Sequence, residues 1–134
     1  MRRYIFTLIL ALVAIGTQAA TKPAKVFMFG FAASFNDSTV YFTDIQEVDS
    51  AYIDTKTKFL YSRQNYSYQL RDYLEAQGFK TPTCVTSFAL TRKDIEKKYA
   101  EMRKKYDDTS KFIVKEVKAP WFEFGAIKDD EIIE

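Results

Sequence analysis

The chain has no histidine and only one cysteine, Cys84, among its 134 residues. Histidine is the side chain whose ordinary pKa suits proton transfer near neutrality, and it is a principal zinc and copper ligand. Its absence removes Ser–His and Cys–His nucleophilic pairs and the usual transition-metal sites. One cysteine cannot form an intramolecular disulfide, so the fold is not a disulfide scaffold. Glycine is scarce, with four residues. There is no Gly-rich phosphate loop, no Gly-x-Ser-x-Gly and no Cys-x-x-Cys. Internal repeats and low-complexity stretches are also missing.

Excess charge is absent from most of the chain. Arg2 and Arg3 account for the whole formal charge of +2. From Ala20 onward acids and bases balance, so no global field favours nucleic acid or an anionic membrane.

What is present begins with an export pattern. Arg2 and Arg3 form a short positive region, residues 4–16 form an apolar run, and Thr17-Gln18-Ala19 places small residues at −3 and −1 of a cut after Ala19. This order is that of a secretory signal peptide. The run is too short to span a bilayer, which takes about 20 apolar residues, and the polar Thr21-Lys22-Pro23-Ala24-Lys25 follows it. We therefore expect 1–19 to be removed and 20–134 to form a single small domain. The expected location is the periplasm, the outer membrane or the exterior. In general character the chain resembles the small exported proteins of Gram-negative bacteria, though no motif ties it to a family.

The expected domain is rich in aromatics, with 12 Phe, 9 Tyr and 1 Trp in the chain. Such side chains supply large buried areas to a small core. Residues 25–35 alternate, with Phe27, Phe29, Phe31, Ala33 and Phe35 on one face and Val26, Met28, Gly30 and Ala32 on the other. Both faces are apolar, as in a covered central strand. The turn Asn36-Asp37-Ser38 leads to a return strand over 39–46, and the pair reads as a hairpin. Residues 47–58 read as a loop with at most a short strand. Tyr66, Leu70, Tyr73 and Leu74 form a helical stripe over about 62–77. Gly78 suits the left-handed position after that helix, letting Phe79 fold back. Residues 83–90 read as a strand with Cys84 as a small core residue.

Thr91-Arg92-Lys93-Asp94 then matches an N-cap pattern. Ile95, Tyr99, Met102 and Tyr106 mark the clearest amphipathic helix of the chain. Residues 112–117 form another strand, and 121–124, after Pro120, read as a further edge strand. Residues 128–134 are acidic and expected to fray. The predicted fold is an α+β, two-layer α/β sandwich in β-β-α-β-α-β order. It has a four- or five-stranded mixed sheet with both helices on one face.

Four groups of residues carry functional readings. Arg92, Lys93, Lys97, Lys98, Arg103, Lys104 and Lys105 concentrate on the second helix, interleaved with Asp94, Glu96 and Glu101. Pairs such as Asp94→Lys98 and Glu101→Lys105 make a solvated helix face the preferred reading over a nucleic-acid surface. Trp121 and Phe122, with Phe124, either close the core or offer rigid area to a sugar or protein partner. Core closure is preferred. Tyr61 and Tyr68 lie seven apart and form a candidate partly exposed pair. Asp44, Glu47, Asp49 and Asp54 could support glycosidase-type chemistry if two of them converged, but ordinary surface acids are preferred.

Asn36-Asp37-Ser38 and Asn65-Tyr66-Ser67 are N-glycosylation sequons. Asp37-Ser38-Thr39 and Asp49-Ser50-Ala51 match the pattern some Gram-negative bacteria use for O-glycosylation.

The expected function is thus an exported, non-enzymatic binding or accessory domain without a cofactor or metal. Its candidate binding residues are Trp121, Phe122, Tyr61 and Tyr68, and its expected partner is an envelope protein or glycan. A carboxylate-dependent hydrolase of glycans or peptides, and a structural or assembly subunit, are the alternatives.

Overall fold

The computed structural model describes residues 20–35 and 37–128. The expected signal peptide, and residues 129–134 of the acidic end, lie outside them. The fold is organised by β1 (Thr21–Ser34), whose residues from Val26 to Ala32 are buried on both faces. Apolar side chains on both sides of one strand require cover above and below.

On one edge β1 pairs antiparallel with β2 (Asp37–Thr43) and β3 (Gln46–Asp54). On its other edge it pairs antiparallel with β4 (Thr83–Ala89), and β5 (Ile113–Val117) runs parallel to β2. Phe31 faces Phe42 and Met28 faces Gln46, so β2 and β3 are successive halves of one return strand interrupted at Asp44-Ile45. At the interruption the Thr43 hydroxyl accepts the Gly30 N–H at 2.8 Å and donates to the Asp44 carbonyl at 2.9 Å. The five-stranded mixed sheet therefore reads β4, β1, β2 with β3, then β5.

The α+β sandwich and the order of elements agree with the sequence reading, with β3 added inside 47–58. There the alternation is broken by a bulge. Val26 faces Val48, but Ala24 faces Ala51, and Ser50 takes φ 61°. The extra residue keeps Val48, Ala51 and Ile53 all turned inward, which a strict period of two would not. Residues 59–61 fold back on the end of β3, with an isolated bridge between Ile53 and Leu60.

The placement of the helices departs from expectation. α1 (Arg63–Ala76) covers Val26, Met28 and Ala32 with Tyr66, Leu70 and Leu74. α2 (Arg92–Asp107) covers Phe27, Phe29 and Phe31 with Ile95, Tyr99, Met102 and Tyr106. The helices thus lie on opposite faces, and the sandwich has three layers rather than two. The cause is the strand order. The β3–α1–β4 connection crosses β1 in one direction, and β4–α2–β5 crosses back. Two crossovers of the same hand that move in opposite directions must pass over opposite faces.

Local signals behave as read. The Thr91 hydroxyl accepts the Asp94 N–H at 3.2 Å to start α2. After α1, Gly78 takes φ 95° and the Phe79 N–H returns to the Leu74 carbonyl at 3.0 Å.

The α2 face is an aromatic cluster in which Phe29 meets Tyr99 edge-on with centroids 5.0 Å apart, and Phe31 meets Tyr106 at 4.8 Å. Such pairs contribute about 0.5–1.5 kcal/mol beyond burial. Arg103 closes this cluster. Its guanidinium lies 5.2 Å from the Phe42 centroid and bonds Glu116 at 2.9 Å. That bond is the main reason the Glu116 carboxyl titrates below its ordinary value.

The expected edge strand over 121–124 is not formed. The chain instead runs irregularly along α1, held by two glutamine amides. Gln46 donates to the Phe122 carbonyl and accepts the Phe124 N–H, at 2.9 and 2.8 Å. Gln69 donates to the Gly125 carbonyl and accepts the Gly125 N–H, both at 3.0 Å. A primary amide presents one donor and one acceptor to each stretch of backbone. These side chains therefore replace the neighbouring strand that Pro120 and the following turn deny.

Candidate binding edge

β4 has one partner, β1, and no strand pairs with its outer edge among the described residues. The register shows which backbone groups that edge offers. Gly30 faces Thr86 but sends its N–H to Thr43 on the β2 side. Thr86 therefore occupies a position not hydrogen-bonded to β1, and its own N–H and C=O point outward. Two residues on, the Phe88 carbonyl also points outward, where Lys98 Nζ reaches it at 2.9 Å. The same alternation turns the Cys84 backbone outward.

Apolar side chains gather along this edge. Val85 is 46 % exposed, Tyr68 42 %, Phe59 69 % and Leu90 38 %. Between α1 and β4 lies an open groove of about 500 Å³, lined by Arg63, Gln64, Tyr68, Cys84 and Thr86 among others. A second hollow of about 230 Å³ is lined by Phe59, Leu60, Arg63 and Phe88. A third, towards α2, contains Phe88 and Leu90 with Lys58, Lys97, Lys98, Asp94 and Glu101. Shared Arg63 and Phe88 make these hollows one continuous surface. Its charged lining is four cations against two carboxylates. The Phe88 ring lies between Arg63, 5.9 Å from its centroid, and Lys98 at 5.6 Å.

The floor of the groove is chemically quiet. The hydroxyls of Ser67 and Thr86 bond to each other at 2.8 Å, and both residues are buried. Cys84 is half-buried, and burial pushes its thiol up to about 11, with Arg71 opposing and Glu75 and Asp72 adding to the rise. The sulfur is thus a protonated thiol at neutral pH rather than a nucleophile.

The sequence-derived candidates are dispersed. Tyr68 stands at the groove, with the Arg71 guanidinium 4.4 Å from its ring centroid. Tyr61 is half-buried before α1, its N–H donating to the Tyr52 carbonyl at 2.8 Å. No ring contact joins Tyr61 to Tyr68 among the described residues. Trp121 follows β5, towards the other edge of the sheet, and is 78 % exposed. Phe122 turns the other way, 7 % exposed against Tyr73 and Phe124. A surface carrying both Trp121 and Phe122 is therefore not formed.

Of the four carboxylates, Asp44 and Glu47 line one open hollow with Glu123, while Asp49 and Asp54 lie outside it. Asp44 accepts from the Gln46 amide at 2.9 Å and from the Ala119 N–H at 3.4 Å. Glu47 pairs with Lys25 at 3.4 Å, and Asp49 is exposed. Asp54 accepts the N–H groups of Thr57 and Lys56, which hold its carboxyl below the ordinary value. At about 3.3 Å per residue, β3 separates Asp44 from Asp54 by roughly 30 Å.

The two anticipated ion pairs of α2 are replaced by Arg92–Glu96 and Arg103–Asp107. Lys98 goes to the Phe88 carbonyl instead. In the Asn65 sequon, Ser67 is buried against Thr86. No cluster of three or more His, Cys, Asp or Glu side chains suited to a metal ion occurs among the described residues.

Val85, Phe59 and Arg63 escaped the sequence reading as site residues, and Lys98 entered it only within the basic face of the second helix. Alternation could assign Val85 to the face opposite Cys84 and Thr86, but no local signal says that a strand lies at an edge. Comparison with protein-family models, with curated proteins and with solved structures returned no match.

Proposed function

We propose that the protein is a small exported domain of the cell envelope or secreted fraction that binds a partner without catalysing a reaction, and that the contact is made at the β4 edge. The observation that carries this reading is the grouping of Tyr68, Val85, Phe59 and Leu90 along an unpaired strand edge. Sheet edges are normally blunted because they present unpaired N–H and C=O groups, and exposed apolar groupings mark interaction surfaces. Export rests on the pattern of residues 1–19. A cut after Ala19 would leave β1, which starts at Thr21, whole.

Two measurements test this. N-terminal sequencing of protein recovered from the envelope or medium should begin at Ala20; an intact Met1 would refute cleavage. Cross-linking capture from the same fraction, with wild type and with Val85→Glu, should recover a partner that the variant loses. Equal capture by both proteins would remove the β4 edge as the contact surface.

A further inference from the structure

We infer that the β4 edge accepts an extended acidic peptide segment of a partner protein as an added strand. This inference rests on the binding reading above and gives its partner a chemistry. Strand addition needs outward-facing backbone groups at alternate residues. The register supplies them at Cys84 and Thr86, which face Ala32 and Gly30 across β1. It also sets a limit, because Lys98 already occupies the Phe88 carbonyl. The open stretch is therefore short, about five residues from Thr83 to Ser87.

Side chains of an added strand alternate between faces. Those level with Cys84 and Thr86 fall over the groove of Arg63, Gln64 and Tyr68. One level with Val85 falls beside that exposed side chain, on the face where α2 leaves β4 partly uncovered. The acidic character follows from the lining charges. Lys58, Arg63, Lys97 and Lys98 surround the Phe88 end, against Asp94 and Glu101, while Arg71 stands against Asp72 and Glu75 around Cys84, so the preference for an acidic residue belongs to the Phe88 end. A carboxylate on the incoming strand would face Arg63 and Lys98 across that end.

A second copy of the chain satisfies these features less well. β4 (TCVTSFA) has no carboxylate to offer the opposing cations.

The test uses two blocked heptapeptides, one alternating glutamate with valine and one alternating lysine with valine, titrated into the isotope-labelled protein. The glutamate peptide should move the backbone amides of 83–88 saturably, with a dissociation constant on the order of 10–100 µM, as suits a short strand in a preformed groove. The lysine peptide should bind at least tenfold more weakly. Arg63→Glu, at the exposed first turn of α1, should weaken the glutamate peptide tenfold and strengthen the lysine peptide.

Equal response to both peptides, or no shift at Cys84 and Thr86 up to 1 mM glutamate peptide, would overturn the inference. If the peptides fail while Val85→Glu still abolishes capture of the partner, the binding reading stands and the strand chemistry is wrong. If sedimentation instead finds a dimer that Val85→Glu dissociates, the occupant is a second copy and the inference falls.

Discussion

Replacing Gly30 by alanine tests the account of how α1 meets the sheet. An alanine Cβ at this position would lie 2.7 Å from Leu70 Cδ2, 3.1 Å from Phe124 Cζ and 3.4 Å from Thr43 Cγ2. Carbon atoms prefer about 3.5–4.0 Å. Leu70 is fully buried and Phe124 nearly so, so neither can swing into solvent. The Leu70 methyl can retreat only by pressing on a close-packed core. One surplus methyl in such a core costs about 1–3 kcal/mol. Alanine also restricts the unfolded chain, which returns about 0.4–1 kcal/mol. The net expectation is a loss of roughly 1–2 kcal/mol.

In urea, with an m-value of about 1–3 kcal/mol/M, the midpoint should fall by about 0.5–1 M without a change in slope. The double variant with Leu70→Ala should be less destabilised than the sum of the singles, by about 1 kcal/mol, because the shortened side chain removes the clash. A midpoint equal to or above wild type for Gly30→Ala, or strict additivity in the double variant, would refute the packing described at this contact.

Further outcomes concern Gln46 and Cys84. Gln46→Ala removes both bonds that tie Phe122 and Phe124 to the sheet, and should cost about 1–3 kcal/mol. The Phe124 amide should then exchange with solvent much faster than those of β1. Cys84, with its thiol near 11, should react with iodoacetamide at pH 8 roughly a hundredfold more slowly than an unfolded cysteine of pKa about 8.5, and urea should remove the difference. Because the folded thiol holds its proton to higher pH than the unfolded one, its contribution to stability is complete below about 8.5 and declines as pH rises through 11. A flat urea midpoint between pH 8 and 11 in wild type, compared with Cys84→Ala, would contradict this.

The elements were legible where local chemistry decides them. Phe27, Phe29 and Phe31 against Val26 and Met28 announced a strand covered on both sides, and Thr91 with Asp94 announced the start of α2. The same observation about β1 already implied cover on two faces, and so two helical layers. The expectation of one helical face came from assigning the crossovers a hand without knowing their direction across the sheet. Direction depends on which edge of β1 receives β4, and that is settled by packing between segments some fifty residues apart. β3 was read as a loop with at most a short strand for a different reason. The Ser50 bulge interrupts the period on which strand recognition depends. At 121–124 the alternation of aromatic and acid was present, but side-chain amides from Gln46 and Gln69 took the role of a neighbouring strand, and no pattern in 121–124 encodes them.

The site was less legible because an edge is a property of topology, yet the two outer strands differ in a way that composition can explain. β5 (IVKEV) carries Lys115 and Glu116, and Glu116 is tied to Arg103 and Lys118 by ion pairs at 2.9 and 3.1 Å. Charged side chains on an outer strand are the common means of discouraging another strand from pairing there. β4 carries no charge, and a single lysine, Lys98, guards a single carbonyl at its end. Charged side chains blunt β5, whereas β4 is guarded at one point and keeps a short, defined stretch open. Val85 and Tyr68 lie along that stretch and the basic lining sits at its Phe88 end, whereas the exposed Phe112 and Ile113 of the β5 side stand beside a strand that carries charge. This asymmetry turns the search for function towards Cys84–Thr86 and away from Trp121, although Trp121 is the more exposed aromatic.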